Sequence, residues 1–276
     1  MRRIDKALPV LGALAGAGAL WAWLVAPGKY TDAQRGVLCG RNFAHRGLYD
    51  ASSGVPENSL AAFRAAAAAG YGAELDVHLS RDGVAVVAHD DDLFRMTGEH
   101  VVISASDFAR IRALRLGGTD EPVPRLDEAL DVLCAAQVPV IVEVKSCARA
   151  RRPALCRAVL DELDARGGEF CVESFDPMIV RWFRHNAPDL LRGQLTAQRE
   201  TLDAPPAVAF AASRVLYNCL GRPQFIAHRL GKKTASVRLA EAMGALRVCW
   251  TAHDPGAETG NDAVIFEHYL PRVRYL

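Results

Sequence analysis

Four short apolar runs in this chain each lead into groups that can handle protons, phosphate or a metal ion. Asn42-Phe43-Ala44 runs into His45-Arg46-Gly47, and Val84–Ala88 runs into His89-Asp90. Between them, Ala73-Glu74-Leu75-Asp76-Val77-His78 sets two carboxylates two positions apart. Val138–Lys145 (VPVIVEVK) adds Glu143 and Lys145 at the same spacing. Alternate side chains of a strand share a face, so Glu74 goes with Asp76 and Glu143 with Lys145. A carboxylate in an apolar strand is costly to bury unless it is paired or binds a metal. Three carboxylates from two strands offer hard oxygens suited to Mg²⁺ or Ca²⁺ rather than zinc. His45 and His89 bring side chains that titrate near neutral pH, and Arg46 and Lys145 bring charge for an anion. One Arg or Lys pair with a carboxylate would read as a buried salt bridge; four such strand ends together read as a site. His78 lies one step further along its strand and suits a structural role equally well.

These groups need a scaffold that collects strand ends. Strand candidates are Asn42–His45, Ala73–Val77, Val84–Ala88, Val138–Val144, Phe170–Ser174, Leu190–Leu195, Val215–Asn218, Leu246–Thr251 and Ala263–Phe266. Helical patterns lie between several of them. Asn58 or Ser59 caps a helix that begins at Leu60 and stops at Gly70, and Arg152–Arg166 and Asp176–Asn186 read likewise. Continuous Val/Ile runs indicate strands buried on both faces, as in parallel sheets. Strands alternating with helices over residues 41–276 match an α/β (β/α)8 barrel, whose active sites form at the C-terminal strand ends. A doubly wound sheet is the rival, but no glycine-rich fingerprint follows the first strand. Phe94–Pro124 is less regular and reads as a small insertion over one face.

The chain has 276 residues, is 50% hydrophobic and carries a formal net charge of +1. That composition fits a folded protein, and near-neutral charge gives no electrostatic case for a nucleic-acid partner. The N-terminus stands apart. Ala7–Ala26 holds no charge and is long enough to cross a bilayer as a helix, with Trp21 and Trp23 near its far end. Residues 1–27 therefore read as a single-pass membrane anchor, with a cleaved signal peptide as the alternative; Pro27 would hinder cutting after Ala26. Arg2, Arg3 and Lys6 place that end in the cytoplasm and the rest outside. Residues 28–40 read as a polar linker, and removal of residues 1–26 is expected to leave a soluble, active enzyme. Seven cysteines without a CxxC pair look like small buried hydrophobes and pull towards a reducing compartment.

The ordered motifs carry a resemblance. His45-Arg46-Gly47, Pro56-Glu57-Asn58-Ser59 with Ala62-Phe63, Glu74-Leu75-Asp76-Val77 with Asp82-Gly83, and His89-Asp90 with Leu93, Arg95 and Thr97 come first. Val142-Glu143-Val144-Lys145, Ser174-Phe175-Asp176 and Trp250-Thr251 follow in order. Together they resemble the glycerophosphodiester phosphodiesterase family over nearly the whole chain after Arg41. The resemblance implies a (β/α)8 TIM barrel that uses one divalent cation to hydrolyse glycerophosphodiesters to an alcohol and glycerol 3-phosphate. Matched by motif, Glu74, Asp76 and Glu143 correspond to metal ligands, His45 and His89 to the acid–base pair, and Arg46 and Lys145 to phosphate contacts. In this family the attacking group is expected to be the substrate's own 2-hydroxyl, giving a cyclic phosphate that water opens. Phe175 and Trp250 are candidate apolar walls for the glycerol. Ser59 stands where threonine is usual, and Ala263-Val264-Ile265-Phe266-Glu267 replaces a more usual Thr-Asp ending, which leaves Glu267 without an assigned role. Two alternatives accompany this reading: a phospholipase D-like enzyme acting on membrane lysolipids, and an inactive anchored binding module.

Overall fold

Among the described residues, nine strands form one sheet: β1 (Arg41–Ala44), β2 (Gly72–Leu79), β3 (Ala85–Val87), β4 (Val140–Val144), β5 (Phe170–Ser174), β6 (Leu191–Thr196), β7 (Phe225–Arg229), β8 (Leu246–Ala252) and β9 (Ala263–Phe266). This computed structural model describes residues 4–274, with side chains from residue 15 onward. The order is β1-β9-β8-β7-β6-β5-β4-β2-β3, and β1 also pairs with β2. That last pairing closes eight parallel strands into a barrel, so the doubly wound alternative falls. β3 lies outside the ring, antiparallel on β2. Behind it the insertion packs Ile103, Ile111, Leu114, Leu116 and Val123 into a small core of its own with Val86 and Leu93.

Strand alternation sorts the core. Val140, Val142 and Val144 point outward to the helices, whereas Ile141, Cys171, Leu191, Leu195 and Phe225 fill the interior. Glu74, Asp76, Glu143 and Glu173 have the interior parity but sit nearer the C-terminal ends. The inside of the barrel is thus apolar below and acidic above. Close packing sets this up: a Cβ on Gly72 would meet the Phe43 ring at 2.5 Å, and one on Gly193 the Phe225 ring at 2.0 Å.

The sequence reading needs correction at three places. Val215–Asn218 is not a strand; Val215 has φ 48° and leads into a short helix, Asn218–Gly221. Its apolar side chain packs outside the barrel with Ile226 and Val237. The sixth barrel strand is β7, whose Phe-Ile-Ala core was too short to stand out. Gly28–Gly40 is also more than a linker. Thr31 and Gln34 form a capping box on the helix Asp32–Leu38, and Leu38 is fully buried in the interior cluster beneath the barrel.

The N-terminal helix spans Ile4–Val25. Among the described residues, no helix is long and apolar enough to cross a membrane; the expected anchor, Ala7–Ala26, falls in part on side chains outside them. Its end is built into the barrel. Val25 is fully buried, Asn218 Nδ2 donates to the Val25 carbonyl, and the Arg222 guanidinium donates to the carbonyls of Trp23 and Ala26. All seven cysteines are unpaired, and Cys156, Cys171 and Cys249 are buried.

Candidate active site

At the C-terminal ends of the strands lies a cavity of about 600 Å³ lined by His45, Arg46, Glu74, His89, Glu143, Lys145, Phe175 and Trp250, among others. Eight of the nine expected site residues thus meet in one place. The ninth, Asp76, lies directly behind them, 1% exposed. His78 is not in the wall: its Nε2 lies 3.0 Å from the His89 carbonyl oxygen, so it braces the loop that carries His89.

The first turn after β1 explains the His45-Arg46-Gly47 order. Arg46 adopts φ 57° and Gly47 φ 80°, a conformation that suits glycine. A Cβ on Gly47 would meet Ala62 Cβ at 2.8 Å, so glycine lets this turn press against the helix Leu60–Ala68. The turn aims the Arg46 backbone N–H at Glu74 Oε2, 2.9 Å away. The guanidinium donates to Glu57 and lies 3.5 Å from Asp76 Oδ2. Ser59, not Asn58, caps the following helix by accepting from the Ala62 N–H. Asn58 instead donates to Asp76 Oδ2 at 2.8 Å.

β2, β4 and β5 carry the acidic layer. Asp76, Glu143 and Glu173 are register partners across the three strands. Glu74, Asp76 and Glu143 offer oxygens that all lie within 4.8 Å of one another. Lys145 Nζ sits 2.6 Å from Asp76 Oδ1 and 2.8 Å from Glu143 Oε1. Burial raises the pKa of Glu74, helped by repulsion from Asp76, Glu143 and Glu173. Burial likewise pushes Glu143 up to about 7 against the pull of Lys145. At Asp76 burial also opposes ionisation, but Lys145, Arg46 and His89 outweigh it and hold the pKa well below the usual carboxylate range. Lys145 is raised, because Asp76 and Glu143 overcome its desolvation.

Glu173 was not foreseen. It is 2% exposed, its Oε2 has no hydrogen-bond partner, and burial with repulsion from Glu143 and Asp76 raises its pKa. A carboxylate inside the apolar run FCVES, with the parity of Glu143, was the available signal. Of the four buried carboxylates, Asp76 pairs with Arg46 and Lys145 and Glu143 with Lys145, so two cations face four acids and the layer is short of positive charge. Hard oxygens converging in a layer that lacks positive charge fit a divalent cation.

Both histidines are tied through Nδ1. His45 Nδ1 donates to Glu267 Oε2 at 2.8 Å, and Tyr49 OH donates to the same oxygen at 3.0 Å. The hydrogen bond from His45, more than any other contact, draws the Glu267 pKa from the ordinary 4.5 to about 2. An ionised carboxylate only accepts, so Glu267 fixes an N–H at His45 Nδ1. His89 Nδ1 donates to Asp90 Oδ1 at 2.6 Å; Arg95 holds the other Asp90 oxygen and reaches Glu57. Burial lowers the His89 pKa, with Lys145 and Arg46 adding to the effect. On the opposite wall Phe175 and Trp250 meet edge to face with centroids 5.7 Å apart, and Trp250 Nε1 donates to the Ala227 carbonyl.

The cavity thus joins two histidines, a buried acidic layer and two cations at the strand ends of a barrel, and comparison with known proteins gives its family. The glycerophosphoryl diester phosphodiesterase family matches residues 45–270, and the chain belongs to that family. It is similar to human glycerophosphodiester phosphodiesterase 1, 31% identical over 157 residues that cover 54% of this chain and 46% of the human one. The chain thus aligns with less than half of that relative's length. Among solved structures, glycerophosphodiester phosphodiesterase from Thermotoga maritima is 26% identical with a TM-score of 0.61, covering 82% of this chain and 93% of the other. An Oleispira antarctica phosphodiesterase, described in complex with the product sn-glycerol-3-phosphate, shares the fold at 23% identity and a TM-score of 0.67, covering 83% and 93%.

Proposed function

We propose that this chain hydrolyses glycerophosphodiesters to an alcohol and glycerol 3-phosphate, with one divalent cation, Mg²⁺ or Ca²⁺, held by Glu74, Asp76 and Glu143. The observation that carries the reading is the pair of histidines, each fixed by a carboxylate on Nδ1, facing one acidic cavity. The family's name and the product named for the Oleispira relative point to the same substrate class. When bound, the cation would neutralise phosphoryl oxygens and acidify a hydroxyl beside it.

The chain's own groups then divide the work. His45, with Glu267 holding its Nδ1 proton, presents Nε2 as the base that takes a proton from the substrate's 2-hydroxyl. That oxygen attacks phosphorus and closes a cyclic phosphate as the bond to the alcohol breaks. His89, whose lowered pKa favours giving up a proton, protonates the departing alkoxide. Water then opens the cyclic ester with the histidine roles reversed. Arg46 and Lys145 supply positive charge to the phosphoryl oxygens as negative charge builds. Phe175 and Trp250 form an apolar wall for the glycerol carbons.

A lysolipid substrate is the second reading. Leu230 lines the cavity and is 45% exposed at its mouth, beside the Phe175–Trp250 wall, a path suited to an acyl chain. The N-terminal helix acts as a single-pass anchor with Arg2, Arg3 and Lys6 in the cytoplasm and the barrel outside. Choline release from glycerophosphocholine and from lysophosphatidylcholine micelles, each with and without EDTA, tests these readings together. EDTA should abolish both activities and added Mg²⁺ or Ca²⁺ restore them. Full turnover in rigorously metal-free protein would sink the cation, and release from only one substrate decides the class.

A further inference from the structure

The N-terminal helix has a direction relative to the active site. Gly28 N donates to the Pro223 carbonyl, just before β7 begins, which places that end at the floor of the barrel. Trp21 Nε1 donates to Ser236 Oγ, at the start of the helix Ala235–Ala242 that descends from the far end of β7. Read from Gly28 back to Trp21, the chain therefore climbs the outside of the barrel from floor to catalytic end. Residues 15–20 are exposed, and from Trp21 back to Ile4 the helix continues for about 25 Å at 1.5 Å per residue.

The exposed apolar residues are distributed in the same sense. Outside this helix, six large ones are at the catalytic end or in the insertion beside it: Phe94, Val102, Val208, Phe210, Leu230 and Leu270. Val208, Phe210, Leu230 and Leu270 follow the C-terminal ends of β6, β7 and β9, and Phe94 and Val102 lie in the insertion between β3 and β4. Thr196 Oγ1, at the end of β6, donates to the Ala212 carbonyl and ties the Phe210 helix to that level. Met243 and Val273 are the two at the other end. Exposed Arg229 and Lys232 flank Leu230 and suit lipid phosphates.

We infer that the catalytic mouth faces the bilayer and that its apolar rim touches the lipid surface; this rests on the anchor reading above. Trp21 to Val25 are committed to the barrel, and the roughly 25 Å of helix left is shorter than a hydrocarbon core about 30 Å thick, so it holds no slack that could keep the barrel away from the surface. The membrane surface must then lie near residue 20, level with the rim. A surface-bound lysolipid or a headgroup released at that surface meets the cavity without crossing bulk water.

The test uses the full chain in phosphatidylcholine vesicles, with plain or bromine-substituted acyl chains that quench nearby tryptophan. Phe210→Trp and Leu270→Trp add probes on the rim, Met243→Trp adds one at the floor, and the emission of the wild-type chain is subtracted. Bromolipid should quench most of the emission added at 210 and 270 and leave that added at 243 unchanged. Quenching at 243 alone, or at none of the three, overturns the orientation while the anchor stands. A wild-type chain that fails to float with the vesicles in high salt overturns the anchor reading, and the orientation with it.

Discussion

His45 Nδ1 and Glu267 Oε2 lie 2.8 Å apart although 222 positions separate the two residues in the chain. β1 and β9 are parallel neighbours, with Ala44 beside Phe266, so the residue after each strand meets its counterpart across the seam of the barrel. Glu267→Gln keeps the shape but no longer fixes the proton on Nδ1. The kcat should fall by about 10- to 100-fold with little change in KM, a part of the 10²–10⁴ expected for His45→Ala. The two residues act as one unit, so the double variant should be no slower than His45→Ala alone. Additive losses in steady-state kinetics would separate Glu267 from His45.

Glu143 gives a pH-dependent expectation. Its folded pKa of about 7 lies above the ordinary 4.5 because burial disfavours the ionised form. A group raised in this way contributes stability below 4.5 that is lost as pH rises through 7. In metal-free protein this carboxylate should therefore lower the melting temperature as pH rises from 4.5 through about 7, and saturating Mg²⁺ or Ca²⁺ should reverse that loss. Glu143→Gln should flatten this part of the pH dependence and remove most of the gain from metal. A thermal melt series that shows the same metal gain in wild type and Glu143→Gln would contradict its role as a ligand.

The N-terminal helix is not freely removable. Deleting residues 1–26 strips Val25 from its pocket and leaves Asn218 and Arg222 without the carbonyls they hold. A buried polar group left unsatisfied costs about 1–3 kcal/mol, so this truncation should melt several degrees below a chain lacking only residues 1–14. Equal melting temperatures would show that the docked turn contributes nothing.

The sequence was most readable where a side chain broke its local pattern. Glu74, Asp76 and Glu143 stood out as carboxylates in apolar strands, and the alternation that made them odd also placed them inside the barrel. Glu173 broke the same rule in FCVES but had no charged neighbour to draw attention. Glu267 and Glu57 could not be read locally, because each acts on a partner brought near only by barrel closure or by the turn after β1. β7 was missed because Phe225–Ala227 is a short run, and Val215-Leu216-Tyr217 looked more strand-like while packing as an outer turn. The helix under the barrel did have a local signal, the Thr31…Gln34 capping box, hidden in a segment whose polarity suggested a linker.

The most direct test of the central claim is the identity of the phosphorus product. Purified full-length protein with Mg²⁺ or Ca²⁺, followed by ³¹P NMR on glycerophosphocholine, should show a transient five-membered cyclic phosphate and then glycerol 3-phosphate, and His45→Ala or His89→Ala should slow both signals. Phosphocholine as the product, or a substrate signal that persists unchanged with either cation, would contradict the account.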